Sequence, residues 1–315
     1  MAVSREELEG YLARIASEVC DPRGGIHGPG SMSWRLSRES VLFLGGGRAA
    51  LLQLAHPYVA HAVDQHSQTR KDPAGRFQRT FEHVYAMVFG DLPHAFESAR
   101  RVHRIHTHIT GPIDEAVGPY AHGHRYEAND EQALLWVFAT LTETSMLVYD
   151  RVVKPLSDAE RGRYYEESKR FAWLFGIPDR VLPADHLAFA RYCDAMYASD
   201  TLTVGRPAAD IGRFLMAAPT PALEPAMRWY RIMTAGFLPP RLAEAYGLPF
   251  GRAERRVFDA SLALIRRTYP LLPRRLRHIP AYVEARRRLQ GQEGPDRFGR
   301  TLERMLQRGM RAARS

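Results

Sequence analysis

Apolar residues recur at three- and four-residue intervals through almost the whole chain, and the two-residue alternation of half-buried strands is nearly absent. Helix start and stop signals punctuate that pattern. Asp72 and Pro73 open a segment running to about Val88 and stopped by Gly90, and Asp91 caps the next, with Pro93 in its first turn and Gly111 just past its end. Asn129 and Asp130 open a long helix to about Val153, and Ser157 with Glu160 forms a capping box. An amphipathic N-terminal helix is expected, with further helices near 185–198, 206–217, 220–235, 252–268 and 296–313. An all-α fold follows, expected as a single large domain over 1–315 with its pocket between helices, because no linker or internal repeat interrupts it.

With 45% apolar and 25% charged residues, 315 residues can bury a substantial core. The longest apolar stretch, Val41 to Val63, is interrupted by Arg48, Gln53, His56 and His61, so it reads as a core segment rather than a membrane span. Cys20 and Cys193 form no CxxC or CxxCH element, which removes a disulfide framework, a zinc site and covalent haem attachment. The N-terminus lacks the apolar stretch of a secretion signal. A cytoplasmic protein is therefore expected. The net charge of +9 is almost wholly arginine, densest from Arg266 to Arg288. A solvated helical face accounts for it, with weak attraction to anionic membranes as a by-product and no nucleic-acid partner expected.

Residues Glu39 to Ala50 imitate a dinucleotide fingerprint: a strand-like run, then Gly45, Gly46 and Gly47, with Asp64 placed to meet a ribose. A Rossmann domain needs repeated βαβ units, and the next hundred residues supply only helices. The glycines then serve a tight turn, or a close approach to another helix or a flat ligand.

Eight of the thirteen histidines fall between His56 and His108. On one helix His103 and His106 share a face with Arg100; on the preceding segment Arg76, Arg79, Thr80 and His83 form a polar stripe. Neutral imidazole binds iron, and the arginine fork matches carboxylates. Such a stripe can equally be solvated. The chain contains no Glu-x-x-His, HExxH or GxSxG, which disfavours diiron, metalloprotease and α/β-hydrolase chemistry.

Several segments in order resemble the catalytic domain of the MpaB and rubber-oxygenase family, which includes latex-clearing protein. They are LGGGRAALLQLAHP at 44–57, HS at 66–67, DPAGRFQRT at 72–80, VFGD at 88–91, RIHTHITG at 104–111, AND at 128–130 and LLWVFATL from Leu134. The resemblance covers about 35–235, leaving a C-terminal helical extension over about 236–315. It implies a helical fold around haem b, with dioxygen used on hydrophobic, isoprenoid-like molecules, including cleavage of carbon–carbon double bonds. His106 matches the proximal iron ligand, with His103 beside it as a cofactor contact. Arg76, Arg79 and Thr80 match the distal Arg-x-x-Lys-Thr element, with Arg79 where latex-clearing protein has lysine. Arginine stays protonated and is a poor iron ligand, so an open distal side is expected, with Arg76 and Arg79 serving propionates or dioxygen. The rubber enzymes' general base, a glutamate, falls in a region reading Val63, Asp64, Gln65, His66, which leaves Asp64 or His66 for that role. A non-catalytic haem or lipid carrier would use the same pocket.

Overall fold

The computed structural model describes residues 1–66, 82–292, 294–296 and 299–301, and these are predominantly α-helical. The capping signals at Asp91, Asp130 and Ser157 hold, while Asp72 and Pro73 lie outside the described residues. Asp91 accepts from His94 N at 2.9 Å to start α6 (Leu92–Thr107), and Asp130 accepts from Gln132 N and Ala133 N to start α7 (Glu131–Val148). Ser157 and Glu160 form the expected box at the head of α8 (Asp158–Trp173). Before these come α1 (Arg5–Glu18), α2 (Met32–Ser37), α3 (Gly46–Leu54), α4 (Pro57–His66) and α5, the helical residues 82–89. After them come α9 (His186–Ala198), α10 (Arg206–Met216), α11 (Glu224–Phe237), α12 (Pro240–Ala245), α13 (Arg252–Thr268), α14 (Arg274–Arg277) and α15 (Pro280–Leu289).

Helix α7 is the axle of the core. Its apolar residues surround the helix instead of forming one stripe, which is the pattern of a helix enclosed by others: Leu134, Trp136, Phe138, Ala139 and Val148 are all buried. It packs against α2, α3 and α8. Trp136 donates from Nε1 to the Leu52 carbonyl at 2.8 Å, so the bulk of the indole is buried without stranding its N–H. Trp34 does the same, donating to the Val88 carbonyl at 3.0 Å and tying α2 to α5. Among the described residues no helix is long and apolar enough to cross a membrane.

Three local readings change. The strand-like run after Glu39 is a 3-10 helix, Ser40–Gly45, leading directly into α3. Gly111 does not end a helix: α6 stops at Thr107, and Gly111 sits in β1 (Thr110–Pro112), opposite Tyr126 of β2 (Arg125–Glu127). Close neighbours explain the residue, since a Cβ there would lie 2.4 Å from Gln65 Oε1 and 3.0 Å from the Tyr126 hydroxyl. The end of α7 widens into a π-turn, Tyr149–Val153.

Candidate functional site

An apolar cavity of about 280 Å³ lies between α2, α3, α4, α5, α7, α8 and α10. Leu54, Val59, Val63, Val84, Val88 and Leu141 supply much of its wall. Its polar lining includes His27 and Ser33 of the N-terminal segment beside Glu39, Gln53, Thr142 and Tyr164. Gly25, at φ +66, lets the backbone turn so tightly against Gly90 that a Cβ would lie 2.2 Å from the Gly90 carbonyl oxygen. This turn delivers His27 to the cavity wall; Ser31 then caps α2 by accepting from Trp34 N, which places Ser33 in the first turn on the same wall. Burial, reinforced by the Arg170 charge, pushes His27 down to about 3, so its ring is neutral.

The glycine triplet proves to be a packing device. A Cβ on Gly45 would lie 2.4 Å from Thr144 Cγ2, and one on Gly47 would lie 2.4 Å from Thr234 Oγ1. The glycines therefore let α7 and α11 approach the start of α3, and among the described residues no βαβ unit accompanies them. The adjacent Arg48 is 2% exposed and gathers α7, α9 and α11 around its guanidinium, through Thr144, Glu143, Tyr197 and the Phe237 carbonyl.

His103 and His106 do share a face, as their spacing requires, but neither lines the apolar cavity. Together with Arg5, Arg100, Arg104 and Asn129 they line a separate cleft of about 460 Å³, where α6 meets the N-terminal segment. His103 Nε2 bonds the Val3 carbonyl at 3.0 Å. Arg100 is engaged by Glu9 at 2.7 Å. Surrounding protein atoms push half-buried His106 down to about 4; the neighbouring His103 adds to this, and a hydrogen bond to the Asn129 side chain opposes it. Asn129 is buried, and its amide donates to the His103 carbonyl at 3.3 Å. His106 is thus a neutral imidazole with one side held by a fixed amide, the state and support that a metal-ligating histidine needs.

Asp64 is half-buried on α4, and its charge, after burial and Asp114, helps push the Tyr126 phenol up to about 12. His66 is exposed, with Nε2 bonded to the Thr110 carbonyl at 3.1 Å. Arg76, Arg79 and Thr80 lie outside the described residues. His83 pairs with Ser98 Oγ at 2.9 Å across α5 and α6.

One grouping escaped the sequence. His61, 1% exposed, faces Asp114 Oδ1 at 2.8 Å and Glu115 Oε1 at 3.8 Å, and the three ligand-type atoms lie within 4.8 Å of one another. Its Nδ1 donates to the Pro57 carbonyl at 2.9 Å. Arg206 already serves both carboxylates: Nη2 reaches Asp114 at 2.6 Å and the backbone N reaches Glu115 at 2.9 Å, at the head of α10. The contacts therefore explain the trio as a bridge between α4, α10 and the loop after β1. No spacing motif could have announced it, since the loop brings Asp114 to His61 from 53 positions away.

Residues 34–267 match the family described as ER-bound oxygenase mpaB/B'/rubber oxygenase, catalytic domain. The chain belongs to this family. The mpaB/rubber-oxygenase match takes in most of the cavity wall, α6 and the Arg48 network, whereas His27 and Ser33 precede it. Over 153 residues the chain is 28% identical to the uncharacterized protein Rv2237 of Mycobacterium tuberculosis and, to the same extent, to the uncharacterized protein Mb2261 of Mycobacterium bovis. The aligned part is 48% of this chain and 59% of each relative, so the chain spans about three fifths of the length of the curated relatives it matches. No solved structure matches it.

Proposed function

We propose that this chain is a cytoplasmic haem b-dependent oxygenase that oxidises an apolar, isoprenoid-like small molecule with dioxygen, acting as one helical unit over 1–315. The observation carrying the proposal is the placement of His106 beside His103, Arg5, Arg104 and the buried Asn129 along one cleft. The donor set around it fits the group: a nitrogen ligand that needs no deprotonation, beside the cationic side chains of Arg5 and Arg104 that suit propionates. Haem, when bound, supplies the dioxygen chemistry.

The chain's own residues do the rest. His106 would hold the iron, and His103 braces the neighbouring turn through Val3. By the family resemblance, Arg76 and Arg79 would serve propionates or dioxygen and Thr80 would supply a hydroxyl, and Asp64 is the candidate acceptor for a substrate proton. The apolar cavity, though separate from the His106 cleft, is the candidate site for the hydrocarbon body of the substrate. Oxygen uptake by haem-loaded protein offered a polyene is the test. Uptake that disappears in His106→Ala supports an oxygenase; haem retention without uptake supports a carrier instead.

A further inference from the structure

Large exposed apolar side chains are scattered singly over the described residues except in one short segment. There Leu264 of α13 is 63% exposed, Leu271 and Leu272 of the turn after it are 79% and 42% exposed, and Leu276 of α14 is 43% exposed. Single exposed leucines need no explanation, whereas several in one segment mark an interaction surface. The fold anchors this segment on both sides of the leucine pair. Buried Tyr269 donates its hydroxyl to Glu39 at 2.9 Å, and Arg277 reaches the same carboxylate at 3.3 Å. Between these anchors Leu272 N closes a turn on the Tyr269 carbonyl at 3.1 Å, and Ser40 Oγ donates to the Leu276 carbonyl at 3.0 Å. Pro270 and Pro273 fix φ on either side of Leu271 and Leu272, so the pair is presented to solvent by a held backbone.

The charge around the leucines has one sign. Arg266 and Arg267 close α13, three and two positions from its last leucine, and Arg274 and Arg275 open α14; all four are exposed, and none forms an ion pair with a described residue. Leu264 and Arg267, three apart, share one face of α13. From Ala260 to Val283 the chain has no acidic residue, and Glu39, on which the segment is anchored, is buried and already met by Arg38 and Arg277. Leucines set among free guanidiniums discriminate between partners. Nucleic acid would use the cations but leave the leucines idle, since its readers are polar or aromatic. A second copy would set arginines against arginines. An anionic bilayer takes both, with guanidiniums on lipid phosphates and leucines at the boundary of headgroups and acyl chains.

We propose that the segment from Leu264 to Leu276 docks this protein on the surface of an anionic phospholipid bilayer. The net charge alone gives weak attraction to such a surface; the leucines add a contact that only a bilayer rewards. Leu271, Leu272, Arg274, Arg275 and Leu276 all lie beyond the family match, which ends at residue 267, so the docking belongs to the C-terminal region and not to the shared catalytic domain. It goes beyond the oxygenase reading and stands without it, since the contact requires neither haem nor turnover. For an enzyme acting on apolar molecules, it would bring the protein to substrate dissolved in the membrane.

Co-sedimentation of the whole protein with vesicles of pure phosphatidylcholine, and of phosphatidylcholine with about one quarter phosphatidylglycerol, tests this at low and high salt. Anionic vesicles should bind at least about tenfold more tightly than neutral ones, and high salt should weaken that binding. Arg274→Gln/Arg275→Gln should weaken it by about tenfold or more, at roughly fivefold per arginine near the surface. Leu271→Ser/Leu272→Ser keeps every charge and alters only exposed side chains, and it should also weaken binding by about tenfold or more. Melting curves matching the wild type show that both variants are folded. No vesicle binding, equal binding to neutral and anionic vesicles, or unchanged anionic binding in the folded leucine variant would each overturn the proposal. Duplex DNA bound equally by wild type and leucine variant, without vesicle binding, would assign the surface to nucleic acid instead. A dimer in sedimentation velocity that the leucine variant dissociates would assign it to a second copy.

Discussion

Replacing Arg48 by methionine keeps most of the side-chain volume but withdraws one cation and three hydrogen-bond donors from the interior. Arg48 Nε donates to the Phe237 carbonyl at 2.8 Å, Nη1 to Thr144 Oγ1 at 2.5 Å and Nη2 to the Tyr197 hydroxyl at 2.8 Å, while Nη2 also lies 2.5 Å from Glu143 Oε2. Glu143, 24% exposed, would keep its charge with only the Tyr197 hydroxyl, at 2.8 Å, for company. Breaking a buried pair by removing one partner costs about 3–5 kcal/mol. At about 2.1 cal/mol/K of unfolding entropy per residue, a 315-residue chain has roughly 0.66 kcal/mol/K, so Tm should fall by about 5–8 °C. The double variant Arg48→Met/Glu143→Leu should recover at least half of that loss, since no uncompensated charge remains. Differential scanning calorimetry of the wild type, both single variants and the double variant measures the coupling. A fall under about 2 °C in Arg48→Met, or a double variant whose loss equals the sum of the singles, would refute the reasoning.

Acid should weaken the fold earlier than carboxylate titration would. His27 and His56 are pushed by burial to about 3 and about 4, so the unfolded chain, with histidine near 6.5, binds protons that the native chain refuses. Stability is thus full above that value and falls as pH drops toward about 4; at pH 5.5 the two together should cost roughly 3 kcal/mol, and melting curves at pH 7.5 and 5.5 that coincide would contradict this. Gly47→Ala should lower stability by about 1–3 kcal/mol through overpacking against Thr234. Adding Thr234→Ala should restore most of it in the same melts, because the opposing hydroxyl has no hydrogen bond to lose.

Legibility followed the range of the interactions. Asp91, Asp130 and Ser157 could be read as caps because their partners lie two or three residues away. His103 and His106 could be placed on one face because three positions of helix fix that relation, whereas the choice of His106 came from the family's motifs. Gly45 and Gly47 could not be separated from a phosphate-binding turn by local pattern: the side chains that demand them, Thr144 and Thr234, sit on helices far along the chain. Arg48 read as an interruption of an apolar run, and only the packing of α7, α9 and α11 shows it as their common partner.

The central claim is that His106 holds haem. It is tested most directly by the absorption spectrum of the haem-reconstituted protein, before and after reduction, with His106→Ala treated in parallel. A Soret band of five-coordinate, high-spin character that is lost or greatly reduced in His106→Ala is the predicted result. No Soret band in the wild type, or an unchanged band in the variant, would contradict it.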